Sequence, residues 1–439
     1  MLTFPTPPPD VSAHPCKHRQ APVSLLSQDV IVYFNGTFMQ RSNGAHARAD
    51  SCLRFLLRHF ERVIVYSFRN HPTCPWTDDL VQRFAVEYPR ARLVLEQRSS
   101  FLVAMTRFKN VLTAFMPSLA RQAIRLSLPG AAPAYASLLK EHPRAVLIVN
   151  YVDGLTQLNG IPHQQLVVET HDIKFINYRF QSHKPASTLR SVFKFRSEIA
   201  LLSTAQAVIA ISPTEAHFFR MLVDDAKVLY IPEFNQDGKC QEVETEDAED
   251  FLYDLVFVGS DNILNVEGLI GFLEDHVPWL AKYRIAVCGK ICQQAAVTRI
   301  ANRHPNVSLL GFVEDMDQVY RRSKAALSPV LGTGLKIKIV DALARGKPVF
   351  ASQSSFAGLP PGYEGCVFPI EQRVMCRVLD QAECRRAAVR ESRAYFASFG
   401  QRGDHQHLLR LLRGEQASTQ DHYAEALPRH RKAGLRCSI

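Results

Sequence analysis

The chain has 439 residues, 46% of them apolar, and 52 lysines and arginines against 42 acidic residues set its formal net charge at +10. That length is too great for one ordinary core and suits two domains. No run of 18 apolar residues occurs, so no spanning helix is expected. Without zinc-finger spacing, an RNA-binding aromatic signature or a long basic arm, the charge points to a nucleotide diphosphate or an anionic membrane, and nucleic acid is not expected.

The segment 1–28 is rich in proline and histidine, lacks the apolar centre of a signal peptide, and reads as disordered. Asp29 to Phe34 is predicted as the first strand. Asn35 to His46 is a loop with glycines at 36 and 44, and a helix runs from about Ala47 to Phe60. Further strands are predicted at Val63–Phe68, Arg92–Glu96, Ala145–Val149, Leu166–Glu169 and Ala207–Ile211. Between them, Phe101, Met105, Phe108, Leu112, Phe115 and Leu119 recur at steps of four and three beside Arg107, Lys109, Arg121 and Arg125. This basic amphipathic pattern suits either a core helix or one lying on an anionic membrane. Ser212-Pro213-Thr214-Glu215 is a capping box with proline at the first helical position. These elements make a first domain over 29–237, and the acidic stretch 238–252 reads as a linker.

A second domain over 253–400 alternates strands and helices, which predicts a parallel sheet with ligands beyond the carboxyl ends of its strands. Asp254–Val258 ends in Gly259-Ser260, Ile285–Cys288 in Gly289-Lys290 and Val307–Leu310 in Gly311, and a further strand spans Ala325 to Val330. Leu331 to Val349 then reads as a glycine turn (Gly332, Gly334), an apolar helix with Lys336 and Lys338 in its first turns, a stop at Gly346, Pro348 and a strand. Such a helix start collects unpaired N–H groups and the positive end of the dipole, and so suits a phosphate. Lys338 and Asp341, three apart, share a face and pair a cation for a diphosphate with a carboxylate for a ribose. An ordinary crossover helix with solvated lysines is the alternative. The segment 401–439 is taken as a basic helix and tail, and ten cysteines without a Cys-x-x-Cys pair suggest reduced thiols in a cytoplasmic protein.

The order Phe257-Val258-Gly259-Ser260, Val287-Cys288-Gly289, Leu310-Gly311-Phe312-Val313 and Gly332-Thr333-Gly334-Leu335-Lys336-Ile337-Lys338 to Asp341 resembles the donor domain of GT-B glycosyltransferases, most of all family 4. The resemblance implies an α/β fold of two facing Rossmann-like domains with parallel sheets. It also implies a nucleotide diphosphate sugar as donor, a glycan or lipid-linked acceptor, and transfer with retention at a metal-free site without a cofactor. It places Gly259, Ser260, Lys290, Gly332, Thr333, Gly334, Lys336, Lys338 and Asp341 at the donor, and Asn43 and Gly44 in a loop on the acceptor side. His171 and Asp172, at the end of a strand, face the donor sugar on this reading and form a capped turn on the plainer one. Two glutamates eight apart in many family members are Thr333 and Asp341 here. That departure keeps a catalytically silent GT-B module in view as the second reading. By family analogy the protein sits in the cytoplasm or at the inner face of a membrane.

Overall fold

Val30–Phe34 (β1), Val63–Phe68 (β2) and Val146–Asn150 (β4) are buried on both faces, as strands inside a parallel sheet covered by helices must be. With Ala91–Glu96 (β3), Leu166–Glu169 (β5), Ala207–Ala210 (β6) and Val228–Tyr230 (β7) they form a sheet in the order β3-β2-β1-β4-β5-β6-β7, every pair parallel. A second parallel sheet has the order β10-β9-β8-β11-β12-β13. Its strands are Tyr253–Val258 (β8), Ile285–Cys288 (β9), Val307–Gly311 (β10), Ser323–Ser328 (β11), Val349–Ala351 (β12) and Val367–Pro369 (β13). The computed structural model describes residues 25–41, 43–162, 165–181, 187–234, 251–275 and 277–414.

Alternate residues of each central strand feed different cores: Ile31 and Tyr33 one, Val30, Val32 and Phe34 the other. Leu255 and Phe257 on one side, and Val256 on the other, do the same for β8. In both sheets the strand order reverses beside the first strand, at β1/β4 and β8/β11, which opens a crevice at the carboxyl edge. The segments leaving β5 and β11 at that edge meet each other, so the two sheets present their carboxyl ends across a common seam.

Several boundaries differ from the sequence reading. β11 runs from Ser323 to Ser328 rather than Ala325 to Val330, because Pro329 has no N–H to continue the ladder. The first long helix spans Gly44–His59, three residues earlier than expected, because Asn43 accepts from His46 N at 3.0 Å and caps it. The capping box is present, with Ser212 Oγ accepting from Glu215 N at 3.1 Å ahead of helix Pro213–Leu222. Of the segment read as disordered, 1–24 lies outside the described residues. Leu26 is ordered, bridging in parallel to Phe60 with Leu26 N donating to His59 O at 2.8 Å. The linker residues 238–250 and the tail 415–439 also lie outside the described residues. The helix His405–Leu412 returns from the second domain and buries Leu408, Leu409 and Leu412 in a core of the first.

The helix Ser100–Phe115 packs on the first domain, with Leu102 in its core, but not through the whole predicted stripe. It turns Leu102, Thr106, Lys109 and Thr113 inward and leaves Phe101, Phe108 and Phe115 exposed.

Candidate functional site

At the carboxyl edge of the second sheet three glycines lie side by side. Gly289 (φ +100°) donates from its N–H to Gly311 O at 2.6 Å, and a Cβ on it would stand 2.3 Å from Gly259 O. At Gly289 only a residue without a side chain lets its turn close on that of Gly259. Beyond them Ser260 Oγ accepts from Asn265 Nδ2 at 3.0 Å, and Asn265 Oδ1 accepts from Lys338 Nζ at 2.7 Å. The Lys338 ammonium also stands 4.4 Å from the Phe257 ring centroid. Burial, then the neighbouring Lys336, lowers its pKa to about 7. Lys290 faces the first domain: together with burial its charge helps press the pKa of His46 down to about 4.

The glycine turn after β11 is an interdomain contact. Gly332 (φ +92°) and Gly334 (φ +84°) adopt the left-handed conformation that favours glycine. A Cβ on Gly334 would lie 2.7 Å from His171 O, and one on Gly332 would lie 2.8 Å from Asn177 Oδ1. Asn177, on the first-domain helix Lys174–Gln181, accepts from Thr333 N at 2.9 Å and from Thr333 Oγ1 at 3.2 Å. Its Nδ2 donates to Asp172 Oδ2 at 2.8 Å. Lys336 Nζ turns back onto Gly332 O (2.9 Å) and Thr333 O (2.5 Å), and burial lowers its pKa to about 8. The helix Ile337–Ala344 follows. It ends in the expected glycine stop, where Gly346 N donates to Leu343 O and Lys347 N to Ala342 O.

Across the seam His171 closes a buried network. Arg48 Nε donates to Glu169 Oε1 at 2.6 Å with both side chains fully buried, and its other nitrogens donate to Ile231 O and Pro232 O. Asn150 Nδ2 donates to Glu169 Oε2 at 3.0 Å and lies 2.9 Å from His171 Nε2. Because Glu169 orients that amide with its NH2 toward both partners, Nε2 of His171 is the acceptor and its proton sits on Nδ1. Burial, then Arg48 and Lys174, holds the imidazole far below its ordinary pKa, so it is neutral. Tyr151, at φ +66°, stacks on it with centroids 4.1 Å apart. Two buried carboxylate oxygens, Asp172 Oδ1 and Glu215 Oε1, have no hydrogen-bond partner. Glu215 Oε1 lies 3.2 Å from where a Gly334 Cβ would stand, and burial followed by the Asp172 charge raises the Glu215 pKa to about 8.

Lys338 and Asp341 leave the same helix toward different partners. Asp341 accepts from Arg345 Nη1 at 2.5 Å and borders a cavity of about 340 Å³ between the helices Gly44–His59 and Ile337–Ala344, with Arg48, Asp50, Ser51 and Arg54 on its far wall. Asn43 and Gly44 belong to the start of that first helix rather than to a loop. Gly44 abuts Ile337, where a Cβ would meet the Ile337 Cβ at 2.9 Å. Sequence reasoning assigned no site role to Arg48, Glu169, Asn150, Asn177, Glu215 or Asn265. Asn150 carried a signal, a polar residue ending an otherwise apolar strand. Arg48 and Asn177 carried none, because their partners lie 121 and 156 residues away.

Residues 253–377 match the family model of the glycosyl transferases group 1. No curated protein matches the chain. Sucrose-phosphate synthase from Thermosynechococcus elongatus is 14% identical over 88% of this chain and 98% of its own, with a TM-score of 0.57. Anabaena HepE, solved with UDP and glucose, is 15% identical over 85% and 95%, with a TM-score of 0.55. WaaG, a glycosyltransferase involved in lipopolysaccharide biosynthesis, is 15% identical over 87% and 99%, with a TM-score of 0.53. At such identities these likenesses are of fold. Residues 253–377 are thus similar to the glycosyl transferases group 1, and the chain as a whole has the GT-B fold of these neighbours, two facing Rossmann-like domains with parallel sheets.

Proposed function

We propose that the protein moves a sugar from a nucleotide diphosphate sugar to a glycan or lipid-linked acceptor at the seam, with retention of configuration and without a metal or other cofactor. The observation that carries the reading is the meeting of the Leu331–Leu335 turn with His171 and Asp172, where Gly334 rests on His171 O. Gly259, Ser260, Lys290, Gly332, Thr333 and Gly334 line the donor edge, and Asp341 takes the ribose. Lys336 and Lys338 stabilise the diphosphate, whose charge grows as the glycosidic bond breaks. His171, neutral and with its proton on Nδ1, donates a hydrogen bond to the sugar, and Asp172 accepts one. Asn43 and Gly44 open the helix that walls the acceptor side. HepE, with UDP and glucose, makes uridine nucleotides the first donors to try.

Incubation with a panel of nucleoside diphosphate sugars, with and without glycan and lipid extracts, tests the reading. Nucleotide release accelerated by an acceptor is expected. A specific observation favours the second reading, a silent nucleotide-binding module: Thr333 and Lys336 already spend their polar groups on Asn177 and on the turn's own carbonyls. Tight nucleotide binding with no release under any acceptor establishes that reading and removes transfer.

A further inference from the structure

We propose that the helices Ser100–Phe115 and Ser187–Leu202 together form a face that docks on an anionic lipid bilayer. A surface helix ordinarily turns its apolar stripe to the core and its polar residues to water. Ser100–Phe115 is reversed. Of its four buried positions only Leu102 is apolar: Thr106 Oγ1 donates to Leu102 O at 2.7 Å, Lys109 Nζ to Leu158 O at 2.8 Å, and Thr113 Oγ1 lies 2.7 Å from Ser197 Oγ on the second helix. Its outward positions include large apolar residues, with Phe101 72%, Phe108 54%, Val111 57% and Phe115 59% exposed, beside Arg107 and Asn110. The second helix adds Leu189 and Val192, also exposed, and the Phe115 and Phe193 rings, 4.6 Å apart, join the two helices into one surface. A contiguous apolar patch of this kind marks a binding face.

The rim identifies what binds there. No aspartate or glutamate occurs from Gln97 to Lys140 or from Ile173 to Ser197. Exposed Arg107, Arg121, Arg125, Arg190, Lys194 and Arg196 flank the patch. Rings and aliphatic side chains bordered by charge of one sign complement an acyl boundary under anionic headgroups. The face is also one helix away from the seam. Glu198, on the second docking helix, accepts from Lys174 N and Phe175 N, both at 3.0 Å, and so caps the helix whose Asn177 holds Thr333. Taken with the sugar-transfer reading, on which this step alone rests, a bilayer on that face makes the acceptor a lipid-linked one.

Sedimentation with vesicles of phosphatidylcholine and phosphatidylglycerol in equal parts, against phosphatidylcholine alone, tests the docking face with the full chain. Binding to the anionic vesicles at low salt is expected, weakened by salt and weaker by about fivefold for each of Arg107→Gln and Lys194→Gln. Phe108→Ser with Phe115→Ser, on side chains that already face water, is expected to lower binding by about tenfold or more at an unchanged melting temperature. Absence of binding to the anionic vesicles overturns the proposal, as does binding that survives the double phenylalanine change. A chain that is dimeric in solution and becomes monomeric in the phenylalanine variant overturns it too, since a second copy then covers the face. Vesicle binding with no transfer to any lipid-borne acceptor upholds the docking face and counts against the sugar-transfer reading instead.

Discussion

Lys338 donates to Asn265 Oδ1 at 2.7 Å above the Phe257 ring, and burial brings its pKa from 10.5 down to about 7. Lys336, brought down to about 8, lies beside it. Between the folded value near 7 and the unfolded value of 10.5, the unfolded chain holds a proton that the folded chain has lost. The stability contribution of Lys338 therefore rises with pH across that window. A bound diphosphate reverses the local preference, because an adjacent anion favours the ammonium. Nucleoside diphosphate binding is thus expected to take up about one proton above pH 7 and to weaken as pH rises, read by calorimetry in two buffers of different ionisation enthalpy. Lys338→Ala is expected to abolish most of that uptake and to lower turnover more than affinity, since its partner's charge grows in the transition state. Asp341→Ala, which removes a contact present before and during transfer, is expected mainly to weaken nucleotide binding. If both variants bind nucleotide as the parent does, the donor lies elsewhere.

The glycine turn between β11 and the helix Ile337–Ala344 was legible as an element and not as a contact. Its glycines, its lysines and its Gly346 stop follow from local chemistry. That Asn177 takes both the N–H and the hydroxyl of Thr333 depends on a helix 156 residues earlier. Removing that side chain in Asn177→Ala leaves the part-buried Thr333 N–H without its partner, which costs less than the roughly 1–3 kcal/mol of a fully buried donor. Gly334→Ala adds a Cβ at 2.7 Å from His171 O on a backbone with φ +84°, a strain on the order of 1–3 kcal/mol. Both changes act on the seam and not on either sheet, so the expected outcome is a larger radius of gyration by small-angle scattering with unchanged helix content. A radius unchanged in both variants means the seam is held by other contacts, such as that of Thr214 with Ala357 O.

At the scale of the molecule the chain closes on itself, because the helix His405–Leu412 crosses back from the second sheet to the first. Asp404 Oδ2 accepts from Tyr230 N at 2.7 Å, and Leu408, Leu409 and Leu412 complete a core that begins with β1. Leu408→Ala is expected to lower the stability of the first domain by about 2–5 kcal/mol, read by urea denaturation, and a loss well under that range would show that the helix is not an anchor. The sequence by itself determined the two-sheet parallel architecture and the glycine-lined edge of the second sheet. Both rest on short-range rules: apolar runs alternating with helices, and glycine where turns pass backbone to backbone. Only the tertiary structure decided which face of Ser100–Phe115 meets the core, since periodicity finds a stripe without saying what lies against it. It alone also decided that His171 is neutral, because its state depends on Asn150 and Glu169 orienting one nitrogen and on burial excluding the charge.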